Sequence, residues 1–307
     1  MKESKPLIIT AFIAIYIIWG STYLLNKIVV TEVSPLLLAA IRFSISGALI
    51  MLIAKFLKVS IKLTKKELVN SAIAGFLFLV YGNGMFVWAL KFVDSGFAAL
   101  LASTQPLFVL FLLRLLDGKK MQRQSIIGVV LGIIGMYLLV SQNEITTSKD
   151  MLIGIFMIFS CILSWSYGSV FVAKATLPKN FFVSTGYQML IAGGLLFVSS
   201  FLLNESWSSP LNWSLKAQGS MVLLIVLGSI VAFTAFNYLL KVVSAEKVST
   251  SAYVNPVVAL LLGWYFLDEN LTTQSVIASV VLLSGVYFIT SRKRISKLKA
   301  TTKPQKI

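Results

Sequence analysis

A chain of 307 residues in which 57% are hydrophobic and 12% charged lies far from soluble globular composition, where about a quarter of residues carry charge. Its formal charge of +16 is not the footprint of a nucleic-acid partner, because the basic residues lie between and after apolar runs and form no basic domain with interleaved aromatics. There is no histidine, and Cys161 is the single cysteine, so the residues supply no internal disulfide and call for no metal or other cofactor.

Apolar runs near twenty residues recur along the sequence, and each is long enough to cross a bilayer. Ten spanning helices are expected, at Leu7–Val29, Pro35–Leu57, Leu68–Leu90, Gly96–Leu116, Ser125–Val140, Met151–Ala173, Phe181–Leu203, Gln218–Leu240, Val248–Leu267 and Thr273–Thr290. The first follows Lys2 and Lys5 as a signal peptide would. It continues past Trp19-Gly20-Ser21 without an A-x-A site, so it reads as a retained span. The links are short and carry turn formers such as Pro178-Lys179-Asn180. The longest, Asn204–Ala217, holds Trp207, Pro210 and Trp213, which suits a segment in the headgroup region.

Charge sets the orientation. With the N-terminus in the cytoplasm, 22 of the 27 basic residues fall on that side, and only Lys27, Lys91, Lys149 and Lys216 on the other; Arg42, inside a helix, completes the set. The positive-inside rule then puts both ends in the cytoplasm. Adding or dropping one span would scramble this asymmetry, so it also supports the number ten. The stretch from Arg292 onward reads as a basic cytoplasmic tail, lying on anionic lipid or solvated.

An internal repeat is visible. Residues 87–140 align with 237–290 at an offset of 150, with Ala102 over Ala252, Pro106 over Pro256 and Gly135 over Gly285. The earlier parts align at an offset of 146, with Trp19 over Trp165 and Arg42 over Gln188. The expected organisation is a first five-helix repeat over 1–145, a second over 146–290 and a tail over 291–307. An odd number of spans per repeat forces the two copies upside down relative to one another, the construction of many secondary transporters. The fold class is therefore an all-α membrane protein of ten transmembrane helices in two inverted five-helix repeats.

Each repeat carries a carboxamide before a proline: Gln105-Pro106 and Asn255-Pro256. Proline removes a backbone donor and disfavours helix at the residue before it. In hydrocarbon a freed carbonyl must face protein or a wet cavity. Paired helix breaks at Pro106 and Pro256 therefore point to a central pathway where Gln105 and Asn255 come together; plain kinks in packed helices are the other reading. Arg42 lies about 10 Å inside its span, where a charge faces a partner or a wet cavity. It reads as a holder of a substrate anion, or else as a structural pair of Glu32 or Asp94. Its counterpart Gln188 is neutral, so the site is asymmetric. Asn83 and Asn237 are further buried amides, read as interhelical glue. Trp19, Tyr23, Trp165 and Tyr253 are aromatics that line the cavity or pack the core. Gly128, Gly132 and Gly135 make a small-residue face for packing within the chain or for a homodimer. Asp94, Asp117, Asp268 and Glu269 lie near span ends, so facilitated movement or exchange is expected, or coupling through a boundary carboxylate.

These features, namely Trp19-Gly20-Ser21 followed by Lys27, Arg42 early in the second span, the Pro106 and Pro256 segments and the Gly-rich closing spans, resemble the EamA family of the drug/metabolite transporter superfamily, over about Leu7 to Thr290. The resemblance implies a permease for a small organic solute in a bacterial cytoplasmic membrane, efflux of amino acids or related metabolites before uptake. It also implies a cavity lined by spans one, three, four, six, eight and nine, with five and ten peripheral. One departure is that the fourth span ends Asp117-Gly118 where the family often has Glu, whereas the ninth ends Asp268-Glu269. A sugar-phosphate or nucleotide-sugar exchanger of the same fold needs several cavity cations, and Arg42 is one. A membrane-embedded enzyme or lipid-handling protein needs an activated nucleophile or metal constellation, for which the spans offer no residues.

Overall fold

A computed structural model describes residues 5–89, 91–92, 98, 101–118, 121–141, 149–267 and 271–290. Among the described residues all regular structure is helical. Ten principal helices follow in order: α1 Lys5–Val30, α2 Pro35–Phe56, α3 Lys65–Ala89, α4 Gln105–Asp117, α5 Arg123–Val140, α6 Lys149–Lys174, α7 Phe181–Leu202, α8 Leu215–Val242, α9 Ser251–Leu267 and α10 Thr273–Thr290. Seven of these are long and apolar enough to cross a membrane; α4 and α9 are shorter, and α5 counts as a shorter apolar helix over Arg123–Leu138. Asp94, Asp268, Glu269 and the tail after residue 290 lie outside the described residues.

Local chemistry sets several boundaries. Thr64 and Glu67 form a reciprocal capping box at the start of α3. Asn180 Oδ1 accepts from Phe182 N and Val183 N to open α7. Gly118 ends α4 with φ +63°, a left-handed conformation that costs glycine little. The prolines do not break helices as the sequence suggests. Pro106 stands in the first turn of α4, where its missing N–H has no intrahelical acceptor to lose; the chain turns just before, at Ser103-Thr104. Pro256 lies inside α9, which runs through it. In the second half the turn comes earlier, at Ser249-Thr250, after a short helical turn Ala245–Val248.

The two halves interlock. α1 packs on α8 and α9 of the other repeat, and α6 packs on α3 and α4, the mirrored arrangement. The closest pairs join equivalents, α2 with α7 and α5 with α10. Small residues set both seams and reveal their direction. A Cβ added at Gly47 would meet Leu190 N at 2.9 Å, and one added at Gly193 would meet Ser44 N at 2.8 Å. Gly47 and Gly193 are repeat mates, as are Ser44 and Leu190, so the contact is exchanged between the copies. The same holds for Gly128 against Gly285 O at 2.7 Å and Gly135 against Ala278 O at 3.0 Å. Swapped contacts of this kind require equivalent helices to run antiparallel. The repeats are inverted about an axis lying across the helices, that is, in the plane of the membrane. The glycine face of α5 is thus used within the chain, against α10 and Tyr253, and is not free for a second copy.

At the end of the bundle carrying the α1–α2 link, two carboxylates cross-brace the repeats. Glu205, after α7, accepts from Leu36 N and Leu37 N at 3.1 and 3.0 Å, where the first turn of α2 has donors to spare. Glu32, after α1, accepts from Ser214 N and Ser214 Oγ at 2.8 and 2.6 Å at the start of α8. The Ser214 hydroxyl and then its backbone N–H hold the Glu32 carboxyl below the usual 4.5. A carboxyl with a lowered folded pKa adds stability above its unfolded pKa and loses it as pH falls through the folded value. Glu32→Gln is therefore expected to flatten the fall in thermal midpoint as pH drops below the ordinary carboxyl range, measured in detergent-purified protein. An unchanged acid limb would show that this brace contributes nothing. Trp213 is buried in the cluster beneath the link, whereas Trp207 is half exposed with Nε1 bonded to Ser200 Oγ.

Candidate functional site

The aromatic residues placed by the sequence on α1 and α6 meet at the centre. Trp19 and Trp165, repeat mates, contact edge to face with centroids 5.9 Å apart. Equivalent side chains touch only where the repeat axis passes, so this pair marks the middle of the protein. Phe78 on α3 and Phe233 and Phe236 on α8 complete the cluster: Phe236 lies 5.0 Å from Trp19 and 5.7 Å from Trp165, and Phe78 lies 5.1 Å from Trp165. The helices that supply it, α1, α3, α6 and α8, are four of the six that the family resemblance assigns to the pathway.

Both third helices of the repeats widen there. Phe76–Gly84 of α3 and Leu224–Val231 of α8 are π-helical, at matching positions 148 residues apart. π-helical turns are uncommon and concentrate at functional sites. Side chains of other helices bond to their carbonyls: Trp19 Nε1 to Gly228 O at 3.2 Å, Ser46 Oγ to Ile225 O at 3.3 Å, and Ser164 Oγ to Leu77 O at 2.8 Å. Sequence reading missed these stretches, though Gly82-Asn83-Gly84 and Gly228-Ser229 are the visible trace of them.

Arg42 reaches the π-helical stretch of α8. It is 4% exposed, and its Nε donates to Ser229 Oγ at 2.7 Å. Gly228 leaves room for the fork, since a Cβ there would come within 2.9 Å of Arg42 Nη2 and 3.0 Å of Thr22 Cγ2. The guanidinium carbon lies 5.1 Å from the Phe43 ring centre, a cation–π contact. Of the two structural partners suggested by the sequence, Glu32 is bonded to Ser214, and Asp94 lies outside the described residues. The other carboxylates whose side chains are described are engaged elsewhere, Glu67 with Thr64, Asp117 with Lys174, Glu205 with the start of α2, and Glu246 with Ser125. Arg42 is also the one cation among the described buried residues.

Gln188, the repeat mate of Arg42, is fully buried on α7. Its Nε2 donates to Ser184 Oγ at 3.1 Å and to Asn237 Oδ1 at 3.4 Å, while Oε1 has no partner. Asn237 Nδ2 donates to Thr185 Oγ1 and Phe233 O. Asn83, within the π-helical stretch of α3, has a buried Oδ1 without a donor.

Two expectations are corrected. No hydrogen bond joins Gln105 and Asn255. Turned so that its nitrogen faces carbonyls, the Asn255 amide donates to Tyr16 O at 3.2 Å on α1 and to Ser251 O at 3.1 Å on its own helix, and so ties α9 to α1. Gln105 is half-buried on α4, which packs on α6. Tyr253 does not line the centre either. Its ring fills the space over Gly132 of α5, among Leu110, Val257 and Leu282. Sequence reading also passed over Glu246, buried at the α8–α9 corner, where it accepts from Ser125 Oγ near the start of α5.

Comparison with known proteins agrees with this architecture. The model of the EamA-like transporter family matches residues 6–141 and again 152–291. The chain is 35% identical over 297 residues to YedA of Escherichia coli K12, named an uncharacterized inner membrane transporter, covering 96% of this chain and 94% of YedA. It is 23% identical over 291 residues to YoaV of Bacillus subtilis, named an uncharacterized transporter, covering 94% and 99%. A solved crystal structure of 20% sequence identity superimposes with a TM-score of 0.78 over 94% of this chain and 98% of its own.

Proposed function

The chain belongs to the EamA-like transporter family, and from that premise we propose that it exports a small organic solute bearing one carboxylate, an amino acid or related metabolite, by alternating access across the cytoplasmic membrane. The observation that carries this reading is Arg42, a buried guanidinium with no carboxylate beside it among the described residues. An unpaired buried charge is costly in a membrane and is kept where it meets a substrate. With Nε held by Ser229, the two terminal nitrogens remain to grip a carboxylate in bidentate fashion. The Trp19 indole, bonded to the neighbouring Gly228 carbonyl, offers an apolar face to the rest of the solute. One cation suits one negative charge better than a phosphate dianion, which argues against the sugar-phosphate reading. The inverted repeats support alternating access: exchanging the conformations of the two copies would move the opening from one face to the other. The charge count puts both termini, and the α2–α3 end of the bundle, in the cytoplasm.

The test is a counterflow screen in proteoliposomes with radiolabelled amino acids, short monocarboxylates, nucleosides and sugars. Accumulation is expected for carboxylate-bearing solutes and not for neutral sugars or nucleosides. Accumulation confined to solutes without a carboxylate would overturn the assignment.

A further inference from the structure

Two polar clusters flank the aromatic centre along α8. Toward the α1–α2 end Ser229 holds Arg42. Eight residues further, about 12 Å along the helix, Asn237 meets Gln188 and Thr185. Phe233 and Phe236 stand between them and pack with Phe78, Trp19 and Trp165. Gln188 is the repeat mate of Arg42, so the second cluster is built on the position that corresponds to Arg42, with a neutral amide in place of the cation.

The second cluster is incomplete in one respect. Gln188 and Thr185 are fully buried and Asn237 nearly so. The Gln188 amide nitrogen has two acceptors and the Asn237 nitrogen has two. The Gln188 carbonyl oxygen accepts from nothing. Buried acceptors in native proteins are nearly always met by a donor, and the desolvation cost of an orphan favours whatever N–H or O–H can reach it. We propose that Gln188, with Asn237 and Thr185, is a second binding station on the α2–α3 side of the aromatic centre, taking a hydrogen-bond donor of the solute, an ammonium or a hydroxyl. It rests on the transport reading above and deepens it. Lacking a cation, this station engages the donor end of a zwitterion and does not retain its carboxylate. The solute then passes the aromatic centre and meets Arg42 with its anionic end. The asymmetry between the repeat mates gives the two faces different selectivity: donors are read on one side, anions on the other.

Thiol labelling tests this without needing flux. In full-length Cys161→Ser protein in oriented membrane vesicles, Thr185→Cys is exposed to a membrane-impermeant methanethiosulfonate from each face in turn. Labelling from the cytoplasmic face is expected to be about tenfold faster than from the other face. n-Butylammonium ion is expected to slow it by about tenfold, the worth of one well-made hydrogen bond, and propionate is expected not to. Gln188→Met is expected to abolish the protection while leaving the unprotected rate within about twofold. Gln188→Glu, which keeps the acceptor and adds charge, is expected to strengthen it, and it reads the same station if the methionine variant does not fold. No labelling from either face, labelling unaffected by n-butylammonium, or protection that survives both variants would each overturn the proposal and leave a packed polar core, or one satisfied by a trapped water. Because the readout is access and occupancy, a failed counterflow screen leaves this result interpretable, and the reverse also holds.

Discussion

Arg42→Gln is expected to lower counterflow of carboxylate-bearing solutes by about 100-fold, in line with the cost of removing one partner of a buried charge-assisted contact. Solutes without a carboxylate are expected to change by less than about threefold. Glutamine keeps hydrogen-bonding capacity toward Ser229 and roughly the length of the stem, so the change is mostly one of charge and fork. Arg42→Lys is the informative intermediate: it keeps the charge, loses the planar fork, and should recover part of the rate. If every solute falls equally while the purified variant keeps its thermal midpoint, Arg42 is a structural element and not a substrate contact. Asp94→Asn separates a further case, because an Arg42–Asp94 pair within the chain predicts that this variant reproduces Arg42→Gln for all solutes.

The second large effect concerns the α5–α10 seam. A Cβ at Gly132 would sit 2.2 Å from the Tyr253 ring, so Gly132→Ala overpacks the site and is expected to cost about 1–3 kcal/mol, read as a lowered thermal midpoint. The clash is with a side chain, so pairing it with Tyr253→Leu should restore most of the loss. Gly128 differs, because a Cβ there meets the Gly285 carbonyl at 2.7 Å. No side-chain substitution relieves a backbone clash, and Gly128→Ala should remain destabilised whatever accompanies it. A Gly132→Ala protein as stable as the parent would mean the seam is looser than described.

Much of this was legible in the sequence because hydrocarbon imposes simple rules. Ten spans, their approximate ends and the inverted repeat follow from run length, charge asymmetry and a fixed offset, and the helices fall close to where the runs lie. Trp19 and Trp165 were identifiable as repeat mates, and inversion then brings them together on the axis. The amides before proline were misread for a physical reason. Proline at a helix start loses no bond, and α9 runs through Pro256 as a continuous helix, so neither marks a break. The true turns, Ser103-Thr104 and Ser249-Thr250, are ordinary hydroxyl pairs with no distinctive local signature. The π-helical stretches and the roles of Phe78, Phe233 and Phe236 depend on which faces of four helices converge, which periodicity on one helix does not encode. Tyr253 shows the converse, since an aromatic beside a suspected pathway residue found its partner in a glycine over a hundred residues away.

The exchange of partners between the copies bears on how the protein is made. α1 rests on α8 and α9, which leave the ribosome some 210 residues later, on the order of 10–40 s at ordinary synthesis rates. During that interval the early spans sit in lipid without their mates, and the guanidinium on α2 has no Ser229 to meet. Biogenesis of this chain therefore ends with a late closure, when the final spans arrive and lock the first ones into place, and truncation anywhere before α10 should leave an insertion product without a finished seam.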